Sequence, residues 1–325
     1  MYDLIQLLFS ERPLWMTPEG YRQLMMLALS MQNTHLPADK VDIPAVKEFF
    51  FFDPPTYKEE AHKALAKLKV KLAQEETTKS IKLTDEFDSP ELPQNSIAYH
   101  RIFGTIFADS RWWASTKQLE HDVLMAEQNP AISCHFMHIN SPGGEAWYLD
   151  RLSETLQNSQ KPIIVLCEEM CASAAYLIAC HGNKVLASTQ YDFIGSIGTM
   201  TSFHDFEPYY EKLGIKKVEA YATNSDLKNK LVRDLREGKP QQFIERVLDP
   251  LNEMFMATVR SQRTQLAQAE DSAPVMRGEI FYTQDAASEG LIDGTSTFVD
   301  AVADAYQMGC NYSEAQRLKT QLYNI

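Results

Sequence analysis

Two kinds of periodicity divide this chain. In the first 78 residues apolar positions recur at helical spacing: Tyr21, Leu24, Met25, Ala28 and Met31 follow Thr17-Pro18-Glu19, and Ala61, Leu65, Leu68 and Leu72 follow Asp53-Pro54-Pro55-Thr56. Each lead-in is a helix start, a capping side chain ahead of a proline that the first turn tolerates. Leu36-Pro37 ends the first helix. After residue 95 the pattern changes to short apolar runs alternating with amphipathic stretches. It predicts strands at Ile97–Phe107, Ser133–Ile139, Pro162–Cys167 and Lys184–Ala187, and helices at Lys117–Gln128, Glu145–Asn158 and Ser173–Cys180. Such alternation implies strand–turn–helix units on a mostly parallel sheet. Gln241–Gln268, with Phe243, Val247, Leu251, Met254, Phe255 and Val259 on one side, predicts a long helix that Pro250 kinks or interrupts.

The chain thus reads as α/β, preceded by a helical N-terminal arm at 1–78. A linker at 79–95, marked by Ser89-Pro90 and Leu92-Pro93, leads to one larger domain at 96–325. The apolar stripes of the arm could dock on that domain or on another subunit, with Phe49–Phe52 packed beneath.

Composition narrows the function classes. Across 325 residues, 31 Lys+Arg against 44 Asp+Glu give a net charge of −13, which disfavours nucleic acid and anionic membranes as main partners. Met1-Tyr2-Asp3 lacks the basic start of a secretory signal, and Leu24–Leu29 falls far short of the ~20 apolar residues that cross a bilayer. Five cysteines without CxxC spacing make neither a disulfide framework nor a zinc site, and no metal or organic cofactor is implied. Cys134, Cys167, Cys171 and Cys180 lie in or beside apolar segments as small buried thiols, which makes a reducing, cytoplasmic compartment the default.

Two segments carry chemistry. Ile139-Asn140-Ser141-Pro142-Gly143-Gly144 closes an apolar run with a Gly-Gly turn whose N–H groups suit a developing oxyanion. Cys171-Ala172-Ser173-Ala174-Ala175-Tyr176 places a serine among small residues at the start of the next helix, where a nucleophile would stand. An ordinary strand-to-helix turn and a plain N-cap are the bland alternatives. Cys171 ranks below Ser173 because it falls where the loop should still be turning. A proton acceptor is also needed. His181 falls at the far end of the same helix, and His204, beside Asp205, is conceivable. Among lysines Lys228 is preferred, with Lys216, Lys217 and Lys230 competing equally on composition alone.

From about residue 95 to 300 the chain resembles peptidase family S49, the signal peptide peptidase A group within the wider Clp/crotonase fold. The two segments above resemble its oxyanion and nucleophile segments, with Ala174-Ala175 where many members have Gly-Gly. Ile194-Gly195-Ser196-Ile197-Gly198-Thr199 resembles its Gly-Ser-Ile-Gly signature, Leu213-Gly214-Ile215 with Lys228-Asn229 the base region, and Gly278–Tyr282 with Gly290-Leu291-Ile292-Asp293 the closing motif. The resemblance implies a serine endopeptidase with Ser173 as nucleophile, Lys228 as base and Ser196 orienting the lysine. The oxyanion would rest on the turn of Gly143 and Gly144, at the Gly144 amide, and on Ala174, and His204 would have no catalytic duty. It also implies a homo-oligomer and a peptide or unfolded-protein substrate. Pro13-Leu14-Trp15-Met16-Thr17-Pro18 resembles the front of phage- and prophage-encoded S49 head-maturation proteases, which raises a capsid or scaffold protein as substrate. The rival readings are a crotonase-like acyl-CoA enzyme using the same turn and a non-catalytic pseudo-protease that aids assembly.

Overall fold

A computed structural model describes residues 14–16, 82–110, 113–202, 205 and 207–323. The arm's two predicted helices, Phe49–Phe52 and His204 lie outside the described residues. The one described piece of the arm is a strand, β1 (Leu14–Met16).

The main sheet is built from β2 (Leu83–Thr84), β3 (Ser96–Phe103), β6 (Ile132–Ser141), β8 (Ile163–Ala172), β10 (Phe193–Gly195) and β11 (Ile280–Tyr282), with β9 (Lys184–Ala187) and β12 (Gly294–Thr295) branching from β8. All its pairings are parallel except β10 with β11. A smaller sheet runs β1-β7-β4-β5, from β4 (Ile106–Phe107), β5 (Ala114–Ser115) and β7 (Gly143–Glu145). The α/β class with its mostly parallel sheet is as expected.

The segment read as a linker takes part in the domain. Leu83 and Thr84 pair with Ile97 and Ala98, and Phe87 and Leu92 are buried against Ala98, Ala126 and Ile132. Its prolines punctuate turns rather than mark a free tether.

Helices cover both faces. On one, α1 (Thr116–Gln128), α2 (Leu149–Gln157), α3 (Ala174–Ala179) and the later α7 (Asp249–Gln262) bury Leu119, Val123, Leu152, Tyr176, Phe255 and Val259 against Met137, Ile139 and Val165. Ser115 starts α1 by accepting the Gln118 N–H at 3.3 Å. On the other face α9 (Phe298–Tyr323) lays Ala301, Val302 and Ala305 on Ile97, Phe136, Ile164 and Leu186. Between them come α4 (Glu207–Lys212), α5 (Lys230–Arg236), α6 (Gln241–Phe243) and α8 (Thr283–Ser288).

Two expectations are corrected. The helix predicted from Glu145 begins at Leu149, because Gly143–Glu145 is drawn into the small sheet opposite Ile106, and the Glu145 carboxylate accepts the Ala108 N–H at 2.8 Å. The helix predicted over 241–268 stops at Gln262 instead, and the interruption expected from Pro250 is a π turn at Ile244–Leu248, just before it. A proline cannot donate to the preceding turn, and one wider turn absorbs the misfit.

Candidate active site

The site is made where β6, β8 and β10 end. β8 runs beside β6 from Ile163 to Cys167, then bulges: Ile139 pairs with Cys167, but Ser141 pairs with Cys171. The extra residues are Glu168 and Glu169, and Glu169 has φ +59°. Its N–H donates to Asp192 Oδ1 at 3.0 Å and its carboxylate accepts from Asn140 Nδ2 at 2.8 Å, so the bend is held from both neighbours. Below it β9 pairs with β8; above it β10 does.

That bend brings Ser173 beside Ser196. Gly195 pairs with Ala172 in parallel, and the Ser173 N–H donates to the Gly195 carbonyl at 2.8 Å, so the two serines directly follow a pair of bonded neighbours on adjacent strands. Ser173 has φ +57° and ψ −120° and Ser196 has φ +55°, each costing about 1–3 kcal/mol of backbone strain. A serine forced into a sharp strand-to-helix turn holds its hydroxyl at the apex. Ser173 stands at the N-cap of α3 yet makes no side-chain capping bond, so the plain N-cap alternative is not what the hydroxyl does. It is 1% exposed.

Cys171 is not in a turning loop. It belongs to β8, is fully buried, and its thiol is held well above the ordinary range by burial and by neighbouring Cys167. A thiol that cannot ionise is a poor nucleophile. Cys134, Cys167 and Cys180 are buried free thiols as expected.

Gly143 and Gly144 open β7 rather than a helix. Gly143 has φ +99°, and its N–H donates to Ser141 Oγ at 3.1 Å, so that donor is occupied. A side chain at Gly144 would put Cβ 1.8 Å from the Ile106 carbonyl oxygen; only glycine fits there. Ala174 is the first helical residue of α3, and its N–H has no acceptor within the helix.

The closing segments hold this arrangement. The Glu279 carbonyl accepts the Ser196 N–H at 2.7 Å, and Tyr176 donates its hydroxyl to the Leu291 carbonyl at 2.8 Å. Asp293 accepts from the Val185 N–H at 2.7 Å and from both terminal nitrogens of buried Arg263, at 2.8 and 3.1 Å.

Lys228 is placed differently. It lies in the exposed turn before α5, where its N–H donates to the Ser225 carbonyl at 3.0 Å, and no hydrogen bond among the described residues links it to Ser173. In the stretch of chain that precedes it, Tyr209, Leu213, Ile215, Val218 and Leu227 are 56–89% exposed. Ser173, Ser196, Ala174 and the glycine segment follow one another around the ends of β6, β8 and β10, and Lys228 lies in an exposed turn.

No described histidine hydrogen-bonds Ser173 either. The His181 Nε2 pairs with Ser153 Oγ at 2.8 Å, and burial pushes the ring down to about 4. The His100 Nε2 meets His135 Nδ1 at 2.9 Å, and His135 Nε2 lies 3.0 Å from Glu127. His138 lies between Tyr99 and Glu168. These rings are core polar groups, His100 and His135 bonded to each other and the others to Ser153, Tyr99 and Glu168, while the Nδ1 atoms of His100 and His181 are buried without a hydrogen bond among the described residues. Sequence reasoning missed the Glu168-Glu169 bend, although two adjacent acids interrupting an apolar strand were a visible signal.

Among the described residues no group of three or more His, Cys, Asp or Glu is arranged for a metal, and no helix is long and apolar enough to cross a membrane.

Comparison with known proteins follows the same lines. Residues 155–309 match Peptidase family S49, and residues 105–193 match Clp protease. Protease 4 of Haemophilus influenzae is 26% identical over 239 residues, covering 70% of this chain and 37% of that protein. A protein named Na(+)/H(+) antiporter NhaA, from Brucella melitensis, is 26% identical over 210 residues, covering 62% of this chain and 27% of that one. The chain thus spans about a third of the length of these curated relatives. A solved structure of a membrane-bound stomatin-specific protease with a substrate peptide aligns at 14% identity and a TM-score of 0.40, over 66% of this chain and 81% of that one. The nucleophile and closing segments lie inside the residues that match Peptidase family S49.

Proposed function

We propose that this protein is a serine endopeptidase that cleaves peptide bonds in extended or unfolded segments through an acyl-enzyme. The observation that carries the reading is the strained turn at Ser173, which leaves an uncapped hydroxyl beside Ser196 and the first N–H of α3. Ser173 Oγ passes its proton to a neutral lysine amine and attacks the scissile carbonyl. The oxyanion accepts from the backbone N–H groups of Gly144 and Ala174. The lysine then returns the proton to the departing amine, and water repeats the sequence on the ester.

The base in this reading is Lys228 of a second copy. A lysine accepts a proton only when neutral, which requires removal from water. The exposed apolar side chains between Tyr209 and Leu227, in the stretch leading to Lys228, give a second copy a surface to cover, and a copy that also covers the lysine would dry its amine. Ser196, beside the nucleophile, would receive that amine and fix its direction. A capsid or scaffold protein is the substrate that the front of the chain favours by its likeness to head-maturation proteases.

Labelling with a fluorophosphonate, followed by cleavage of an unfolded protein, tests this. Ser173→Ala and Lys228→Ala should each lose at least about a thousandfold in cleavage. Mixed together, the two variants should regain a measurable fraction, since one assembled site then holds both groups. Full activity in Lys228→Ala would remove the lysine from the mechanism, and full activity in Ser173→Ala would end the serine reading.

A further inference from the structure

β7 has two edges, and β1 takes the one that the rest of the domain leaves open. Ile106 of β4 pairs in parallel with Gly144 on one side. On the other, Leu14, Trp15 and Met16 pair antiparallel with Glu145, Gly144 and Gly143. A peptide that adds to a sheet edge makes this same kind of ladder. The strand covered is the one that carries the proposed oxyanion donor, and Ser173 is 1% exposed in this arrangement.

We propose that Leu14–Met16 is a built-in occupant of the substrate edge, which keeps the site closed until a longer peptide displaces it. This rests on the peptidase reading above. The sequence limits how firmly such a strand can hold. Pro13 and Pro18 bracket it, and proline has no N–H to give to a ladder, so pairing cannot spread beyond a few residues. Its advantage is the tether: a segment of the same chain acts at an effective concentration of about millimolar. A substrate offering more paired residues outcompetes it, whereas short peptides do not.

The test uses the full-length chain with Trp15→Pro, and separately with Leu14→Pro plus Met16→Pro. Antiparallel pairing alternates bonded and non-bonded residues, so one of the two must remove ladder N–H groups. Two readouts are taken: fluorophosphonate labelling of Ser173, and deuterium uptake across residues 143–149, with uptake in β6 and β8 reporting that the core is intact. The expected result is faster labelling by tenfold or more in at least one variant, with raised uptake at 143–149. A synthetic peptide of residues 10–20 at millimolar concentration should reverse both. Labelling in both variants at the wild-type rate would overturn the proposal. If uptake rises but neither wild type nor variants label at Ser173, the strand does sit on β7 and it is the serine reading that fails.

Discussion

At the scale of single residues the site depends on backbone conformations that its residue types do not favour. Ser173 and Ser196 adopt positive φ because each is held by a neighbour's carbonyl, Gly195 for the first and Glu279 for the second. Gly144 is the reverse case, a residue chosen for having no side chain. Gly144→Ala drives a carbon into the Ile106 carbonyl, so the small sheet must open. We expect loss of labelling at Ser173 and a fall in melting temperature of several degrees, measured by calorimetry. His181 makes a second prediction. Its buried ring binds a proton only at about pH 4, against about 6.5 in the unfolded chain. Its folded value is depressed, so neutral His181 costs nothing above pH 6.5, and stability falls as pH drops from there to about 4. The loss is about 3 kcal/mol at most. Urea unfolding of wild type and His181→Gln across that window should show a shallower slope in the variant.

At the scale of elements, much of what places Ser173 lies outside the nucleophile and oxyanion segments. The Glu168-Glu169 bend, Asp192 and the closing segments set where β8 and β10 end. Arg263 and Asp293 show how much hangs on one such contact, since they tie the end of α7 to β9 and to the Gly290 carbonyl. Arg263→Met removes the buried guanidinium from the Gly290 carbonyl and from Asp293, whose carboxylate is open to solvent and keeps the Val185 N–H, so the loss is about 1.5–3 kcal/mol. The expected signature is a lower denaturation midpoint, with activity at 20 °C less affected than stability. If Arg263→Met unfolds at the wild-type midpoint, the clamp is not structural. The sequence showed the strands of this region well where they are continuous and apolar: Lys184–Ala187 is found as expected, and Thr116–Gln128 within one residue. It did not show α9, whose inward face is largely alanine and so gives little hydrophobic contrast. Nor did it show that Gly143–Glu145 is a strand, because that follows from a partner, Ile106, almost forty residues away.

At the scale of the whole molecule, a serine and its small-residue neighbours were legible because they are contiguous. Lys228 was singled out only by likeness, and nothing in its local sequence fixes what it faces. The exposed apolar residues from Tyr209 to Leu227 offer the means of checking its surroundings. Leu213→Asp with Val218→Asp, both on this surface, should shift sedimentation toward the single chain and lower cleavage together with assembly. Retention of assembly with these changes would place the contact elsewhere on the molecule.

The bulge in β8 has a consequence for variation in length. Ile139 and Cys167 below it, and Cys171 above it, all face the same core. The detour adds two residues, an even number, and so the alternation of sides resumes in phase. Losing one residue there would turn every later side chain of the strand around and present the hydroxyl to the wrong side of the sheet. Chains descended from this one are therefore expected to lengthen or shorten at this point in pairs, or not at all.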